Sequence, residues 1–229
     1  MEELSTAVLS RSEIETLIYK TSHNLTSPLT SIEGLLNVLK TGSSNQDQVI
    51  SQIENSVSKL KKYTHQVIRK LNNNVKPVTN QQIVIGGFYE EIVSRLKSNL
   101  DNFDEKLLVS HFEPYLNFQS DKSRLLFIVE QLLSNAFIHG RTARRILKVT
   151  IDIEVKNENL MIMISDNGRG IEENIQKHIF DMFYTATDLP GCNGLGLYLA
   201  KEEVLALDGS IQMESKIGLG TKLFVQIPL

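Results

Sequence analysis

The sequence predicts an α-helical hairpin, dimerising into a four-helix bundle, followed by an α+β two-layer sandwich. Three observations carry this. Apolar residues in the first third follow the three-and-four rhythm of a helix-bundle seam. A polar stretch ending in proline, Asn72-Asn73-Asn74-Val75-Lys76-Pro77, interrupts that rhythm. Beyond it, short β-like runs are interspersed with amphipathic helical stretches, the mixture of an α+β fold. At 229 residues, two domains of modest size fit, with expected limits 1–74 and 78–229.

In the first domain Ile18, Leu25, Leu29, Ile32, Leu36 and Leu39 recur every seven, four or three residues, and Ile50, Ile53, Val57, Leu60, Val67 and Leu71 repeat the rhythm with Thr64 in one seat. Between them Thr41-Gly42-Ser43-Ser44-Asn45-Gln46-Asp47 holds a helix-stopping Gly and helix-starting Ser, Asn and Asp. A lone hairpin leaves its apolar stripes in water, so a second copy completing a bundle is the expected cover; packing on the rest of the same chain is the alternative.

In the second domain Gln82 to Ile85 is a short β-like run and Phe88 to Leu100 an amphipathic helix. Lys106 to Phe112 and Tyr115 to Phe118 resemble strands parted by Glu113-Pro114. Asp121 offers an N-cap for a helix through about His139. Ile146 to Val155 and Leu160 to Ser165 are strands joined by the turn Lys156-Asn157-Glu158-Asn159. Helices about Asn174 to Phe183 and Gly194 to Leu207 follow, and Ser210 to Ser215 with Lys222 to Ile227 form a closing strand pair. The helices are expected on one face of the sheet.

Composition narrows the function classes. A 41% hydrophobic, 22% charged chain buries a core rather than staying disordered. Its 24 basic against 27 acidic residues, net −3, predict neither nucleic-acid binding nor contact with an anionic membrane. No apolar run reaches the roughly 20 residues of a membrane span, and Met1-Glu2-Glu3-Leu4-Ser5 is unlike a basic signal peptide. The lone Cys192 excludes an internal disulfide and fits a reducing, cytoplasmic compartment.

Three separated segments have the chemistry of a nucleotide site. Asn135 stands among Leu125, Ile128, Val129, Leu132, Leu133 and Ala136 at helical spacing; its amide oxygen is a suitable ligand for Mg²⁺, or it is a satisfied helix amide. Asp166 ends the apolar run from Ile162 and is followed by Asn167-Gly168-Arg169-Gly170-Ile171. A carboxylate there can accept from an adenine amino group; the same letters also spell an ordinary turn. Gly191-Cys192-Asn193-Gly194-Leu195-Gly196-Leu197 opens a helix, where backbone N–H groups attract phosphate. Neither a G-x-x-x-x-G-K-[ST] loop nor a G-x-G-x-x-G loop is present.

Taken in order, these segments resemble the N, G1 and G2 boxes of the GHKL ATPase superfamily. Phe180-Asp181-Met182-Phe183-Tyr184 resembles its F box, and Gly218-Leu219-Gly220-Thr221 its final Gly-x-Gly-Thr. Ser22-His23-Asn24-Leu25-Thr26-Ser27-Pro28-Leu29 resembles the H box of sensor histidine kinases of bacterial two-component systems. Geometry agrees independently. His23 precedes the seam residue Leu25 by two positions, about 200° around the helix, so it should face solvent. Pro28 should bend the helix nearby.

The resemblance implies a protein-histidine kinase core, cut from a longer and sometimes membrane-anchored chain, that phosphorylates His23 with ATP and Mg²⁺ and passes the phosphoryl group to an aspartate of a response-regulator receiver domain. It implies Asn24 and Ser27 as helpers of His23 and Asn135 as Mg²⁺ ligand. Nucleotide contacts would come from Asn135, His139, Asp166, Gly168, Gly170, Ile171, Phe183, Tyr184, Gly194, Leu195, Gly196, Leu197 and Thr221. A lid from Tyr184 to Asn193 and a hinge at Asn72 to Pro77 complete the expectation.

Departures from the family pattern modulate it. Asn24 replaces the usual carboxylate after the phosphoacceptor, which predicts slower autophosphorylation, and Ser27 replaces the Thr or Asn tied to phosphatase action. Gln131 and Ile138 replace Asn and Lys of the N box, with Arg144 or Arg145 as substitute charge, and Thr185 replaces a basic residue. A phosphatase-biased or non-catalytic ATP-binding dimer is the alternative. The superfamily's clamp ATPases lack the helical hairpin and carry a transducer domain after the nucleotide site.

Overall fold

A computed structural model describes residues 11–42, 45–73, 77–100, 103–142, 145–186 and 192–229. The chain divides into two compact units, a helical one and a larger one beginning at Pro77.

The helical unit is a hairpin of α1 (Arg11–Thr41) and α2 (Gln46–Asn73). Leu17, Val49 and Tyr63 are buried, and the Tyr63 hydroxyl donates to Thr21 Oγ1 at 3.3 Å. The two seams sort into two groups. Leu25, Ile32, Leu39, Ile53, Val57, Leu60 and Val67 are half-buried, whereas Ile18, Leu29, Leu36, Ile50 and Leu71 are exposed, Leu29 at 50%. α1 continues through Pro28. Proline has no N–H, so the Asn24 carbonyl loses its donor four residues on. Hydroxyls of Thr26, Thr30 and Ser31 bond back to the carbonyls of Ser22, Thr26 and Ser27 around it.

The larger unit begins with β1 (Gln81–Val84) and α3 (Ile85–Asn99). A 3₁₀ turn (Glu105–Leu107), β2 (Leu108–His111) and β3 (Asn117–Ser120) follow. Then come α4 (Lys122–His139), β4 (Val149–Lys156), β5 (Asn159–Asp166), the single turn α5 (Glu173–Gln176) and α6 (Gly196–Leu205). β6 (Ser210–Lys216) and β7 (Gly220–Pro228) end it. The main sheet has strand order β2-β4-β5-β7-β6, antiparallel except that β2 lies parallel to β4, while β1 and β3 form a separate antiparallel pair. Helices cover one face. Val149, Ile151 and Ile153 of β4, Leu160, Ile162 and Ile164 of β5, and Leu223, Val225 and Ile227 of β7 are buried with Leu125, Ile128, Leu132, Ala200 and Val204 of the helices. The alternation of buried and half-exposed residues along β4 and β5 is that of a sheet covered on one side.

Four element expectations are corrected. The strand placed at Tyr115 to Phe118 starts at Asn117, because Leu116 N–H donates to the Glu113 carbonyl in a tight turn. The strand placed at Lys106 starts at Leu108, after the 3₁₀ turn capped by the Asp104 carboxylate. The strand expected from Ile146 starts at Val149, since the Asn167 side chain takes the Lys148 N–H and donates to the Ile146 carbonyl in place of a strand partner. The helix expected from Asn174 to Phe183 is one turn only. Gln176 is drawn away to the carbonyls of Ile171 and Ser215, and Phe183 adopts φ 65°. Residues 74–76 of the expected hinge and Ser43 and Ser44 of the inter-helix loop lie outside the described residues.

Candidate functional site

α4 brings the first box together. Asp121 caps it, its carboxylate accepting the Arg124 N–H at 3.0 Å. One stripe of the helix then carries Gln131, Asn135 and His139, each four residues from the next and hence on one face. Asn135 is half-exposed between buried Ser134 and Ala136. Its amide finds no hydrogen-bond partner among the described residues, so an oxygen donor remains open between buried neighbours.

The ends of the stripe touch two different loops. Gln131 Oε1 stands 2.9 Å from where a Cβ would project at Gly196, the first residue of α6. No side-chain hydrogen bond caps α6 at buried Leu195, and the N-terminus of a helix carries partial positive charge. At the other end Arg169 Nη2 donates to His139 Nδ1 at 3.2 Å. Burial, and secondarily the Arg169 charge, lower the His139 pKa from 6.5 to about 4. The imidazole is therefore neutral at physiological pH, with Nδ1 as acceptor.

Asp166 ends β5 beside that histidine-bearing end. Its Oδ1 accepts the Gly168 N–H at 2.7 Å. Burial raises its pKa, while the N–H groups of Gly168 and Thr221 and the charge of Arg145 oppose the rise. Gly220 is required here: its φ is +104° and a side chain would overlap the Asp166 carbonyl. Buried Thr221 meets Ser215, whose Oγ lies 2.9 Å from Thr221 Oγ1, accepts the Ile171 N–H at 2.9 Å and donates to the Gly220 carbonyl at 3.0 Å. Gly170 lies against the Lys216 carbonyl. One hydroxyl thus ties the turn after Asp166 to the final hairpin.

A backbone hydrogen bond joins the F-box turn to the G2 loop. Phe183 N–H donates to the Gly194 carbonyl at 3.0 Å, and Gly194, at φ +69°, would bring a Cβ within 2.6 Å of Tyr184 N. Tyr184 lies against His178 with the rings tilted by 37° and 5.5 Å between centroids. Half-buried Leu197 leans on the core. Of the lid, residues 187–191, Gly191 included, lie outside the described residues.

Asn135, His139, Asp166, Gly168, Gly170, Ile171, Thr221, Phe183, Tyr184 and Gly194 to Leu197 all belong to the larger unit, arranged around the α4 stripe. His23, Asn24 and Ser27 belong to the hairpin. His23 and Ser27 are exposed, and Asn24 Oδ1 lies 3.4 Å from His23 Nδ1. Arg145 donates to the carbonyls of Gly218 and Gly168, so its guanidinium braces two turns; Arg144 lies outside the described residues. Sequence reading missed Ser215, Arg169 and the bracing by Arg145. Ser215 alone left a signal, since pairing the last two strands sets it opposite Thr221.

Residues 120–229 match the family described as histidine kinase-, DNA gyrase B-, and HSP90-like ATPase. The chain is 26% identical over 216 residues to the sensor histidine kinase YvrG of Bacillus subtilis, covering 89% of this chain and 36% of that one. It is 28% identical over 230 residues to the sensor protein kinase WalK of Staphylococcus aureus, covering 90% of this chain and 52% of that one. The chain therefore spans from about a third to a half of these relatives' length. The same fold occurs in the Acinetobacter baumannii histidine kinase AdeS, with TM-score 0.69 and 20% identity over 90% of this chain and 97% of that one. It recurs in the histidine kinase ThkA crystallised with response regulator protein TrrA, with TM-score 0.69 and 18% identity over 95% of this chain and 62% of that one. Among the described residues no helix is long and apolar enough to cross a membrane.

Proposed function

We propose that this chain, whose residues 120–229 match that ATPase family and whose fold recurs in a histidine kinase, is the catalytic core of a two-component sensor histidine kinase and transfers the γ-phosphoryl group of ATP to His23. The group then passes to an aspartate of a response-regulator receiver domain. The observation that carries this reading is the α4 stripe: one helix face joins a helix N-terminus without a side-chain cap, an open amide oxygen and a half-buried carboxylate turn.

In this reading Asp166 accepts the adenine amino group, and Thr221 and Gly168 hold its carboxylate in place. His139 and Ile171 border the base, and Phe183 and Tyr184 stand at the lid. The backbone of Gly194, Leu195, Gly196 and Leu197 receives the phosphates. Asn135 offers its amide oxygen to Mg²⁺, which neutralises phosphate charge when bound. On the hairpin, an Nδ1–H donating to Asn24 Oδ1 leaves the lone pair on His23 Nε2. Nε2 attacks the γ-phosphorus, the bridging P–O bond breaks and ADP departs with its electrons, so positioning rather than side-chain chemistry limits the rate. Asn24 orients the ring but, being neutral, does not stabilise the charge that develops on it. Ser27, one turn on, is the group placed to orient a water for the reverse hydrolysis.

We assign residues 1–74 to dimerisation and phosphotransfer and 78–229 to nucleotide binding. A second copy fits the hairpin because Ile18, Leu29, Leu36, Ile50 and Leu71 are exposed at bundle spacing. The parent protein's site of action would be the cytoplasm.

Incubation with radiolabelled γ-phosphate ATP and Mg²⁺, beside His23→Ala, tests the reading. Acid-labile, base-stable label lost in the variant is the expected result. ATP binding without label would favour the phosphatase or scaffold reading, and label persisting in His23→Ala would name another acceptor.

A further inference from the structure

α4 and α6 touch through a buried pair of charges that the nucleotide reading leaves unused. Arg124 is 4% and Glu203 1% exposed, and Arg124 Nη1 donates to Glu203 Oε2. The pair is anchored at the head of α4. Arg124 Nε lies 3.6 Å from Asp121 Oδ2, the same oxygen that accepts the backbone N–H and hydroxyl of Thr79 at 3.1 Å each.

Its place along the helices matters more than its existence. Arg124 precedes Gln131 by seven residues on α4, and Glu203 follows Gly196 by seven on α6. Seven residues are two helical turns, so each helix presents both members on one stripe. Gln131 meets Gly196 at one end and Arg124 meets Glu203 at the other, an antiparallel lock with two points. Between them Ile128, Leu199 and Ala200 are fully buried. Apolar contact is non-directional, and cores repacked with similar volume lose uniqueness before stability. Buried charges behave differently. Their desolvation is offset only in the one alignment that pairs them, and replacing such a pair with apolar residues is often neutral for stability or better.

We propose that the Arg124–Glu203 pair is a positioning device: it fixes the register of α6 on α4 and so holds the start of α6, Gly196, against Gln131 on the stripe that carries Asn135. This rests on the reading of that helix start as the phosphate site. A misplacement near 1 Å remote from the chemistry costs about 100-fold in rate, which sets the expected effect.

The test compares the intact chain with R124M/E203L and E203D by thermal melting, ATP affinity, autophosphorylation rate and amide hydrogen exchange without nucleotide. The double variant should melt at or above the parent's temperature while ATP affinity falls about tenfold and labelling about 100-fold. E203D keeps the charge but withdraws it by one methylene, and should lose affinity severalfold with little change in melting; it decides the matter if the double variant does not fold. Faster exchange at Leu199 to Glu202, with the β5 amides unchanged, is the accompanying signature. Parent-like affinity, labelling and exchange in a folded variant would overturn the proposal and leave the pair a stability fixture. If the parent itself binds no ATP, the nucleotide reading fails and the exchange data alone judge the register lock.

Discussion

Acidification should unfold this protein partly through one histidine, and the size of the effect follows from the His139 environment. His139 is held neutral by burial and by Arg169, with a pKa near 4 against 6.5 for a free imidazole. Between those values the unfolded chain binds a proton that the folded chain refuses, so stability rises with pH there. It is fully present above about 6.5 and is lost as pH falls through 4. The interval corresponds to about 3 kcal/mol at roughly 1.4 kcal/mol per pH unit. Asn in place of His139 can still accept from Arg169 through its amide oxygen and does not titrate. Urea unfolding at pH 7 and pH 4 should therefore show the parent losing about 3 kcal/mol more than His139→Asn, while every other titrating group cancels in the comparison. The His139 ring resonances should titrate near pH 4 by NMR. Equal losses in parent and variant, or a ring that titrates near 6.5, would refute the reasoning.

Gly220→Ala forces a side chain into the Asp166 carbonyl at φ +104° and should cost about 3 kcal/mol, read as a lowered melting temperature together with lost ATP binding. Gly34→Ala meets nothing within 4 Å in mid-helix and should instead stabilise by about 0.5–1 kcal/mol in the same assay. Asn24→Asp restores a charged acceptor beside His23 Nδ1 and should speed single-turnover phosphorylation about tenfold, since a charged hydrogen bond is worth roughly 1.4 kcal/mol more than a neutral one. Leu29→Asp, on the exposed side of the hairpin, should convert a dimer to a monomer in sedimentation velocity; an unchanged species would place the subunit contact elsewhere.

Local chemistry was legible in the sequence and long-range chemistry was not. Asp121 reads as a helix cap because capping is a property of adjacent residues, and the Lys156 to Asn159 turn reads as a hairpin, with Asn157 and Glu158 both at positive φ. The partner of β2 could not be read this way. Its four residues join β4 in parallel, and no local pattern distinguishes that from pairing with β3 nearby. The F-box helix failed for a related reason: Phe183 and Gln176 answer to Gly194 and Ser215, distant in sequence. At the site, Asn135, Asp166 and the glycines stand out because polar or flexible residues interrupt apolar runs. Arg169 carries no signal in the sequence and Arg145 reads only as a substitute phosphate charge, since only the folded chain reveals the nitrogen and carbonyls they serve.

The pairing of β5 with β7 bears on how the domain is completed during folding. Asp166 sits opposite Thr221 across the entire excursion through α5, α6 and β6, whereas β4 and β5 are joined by a tight turn. Contacts of short sequence separation form fast, and those that close long loops come late. The carboxylate is thus laid down early with the Gly168 amide that holds one oxygen, while the second steadying amide, that of Thr221, arrives with a strand synthesised after the other elements around the site. A chain synthesised only as far as β6 should hold Asp166 without the means to use it. A ligand that binds only the finished site would then add its binding free energy to that last step, making substrate supply a stabilising input for newly made protein.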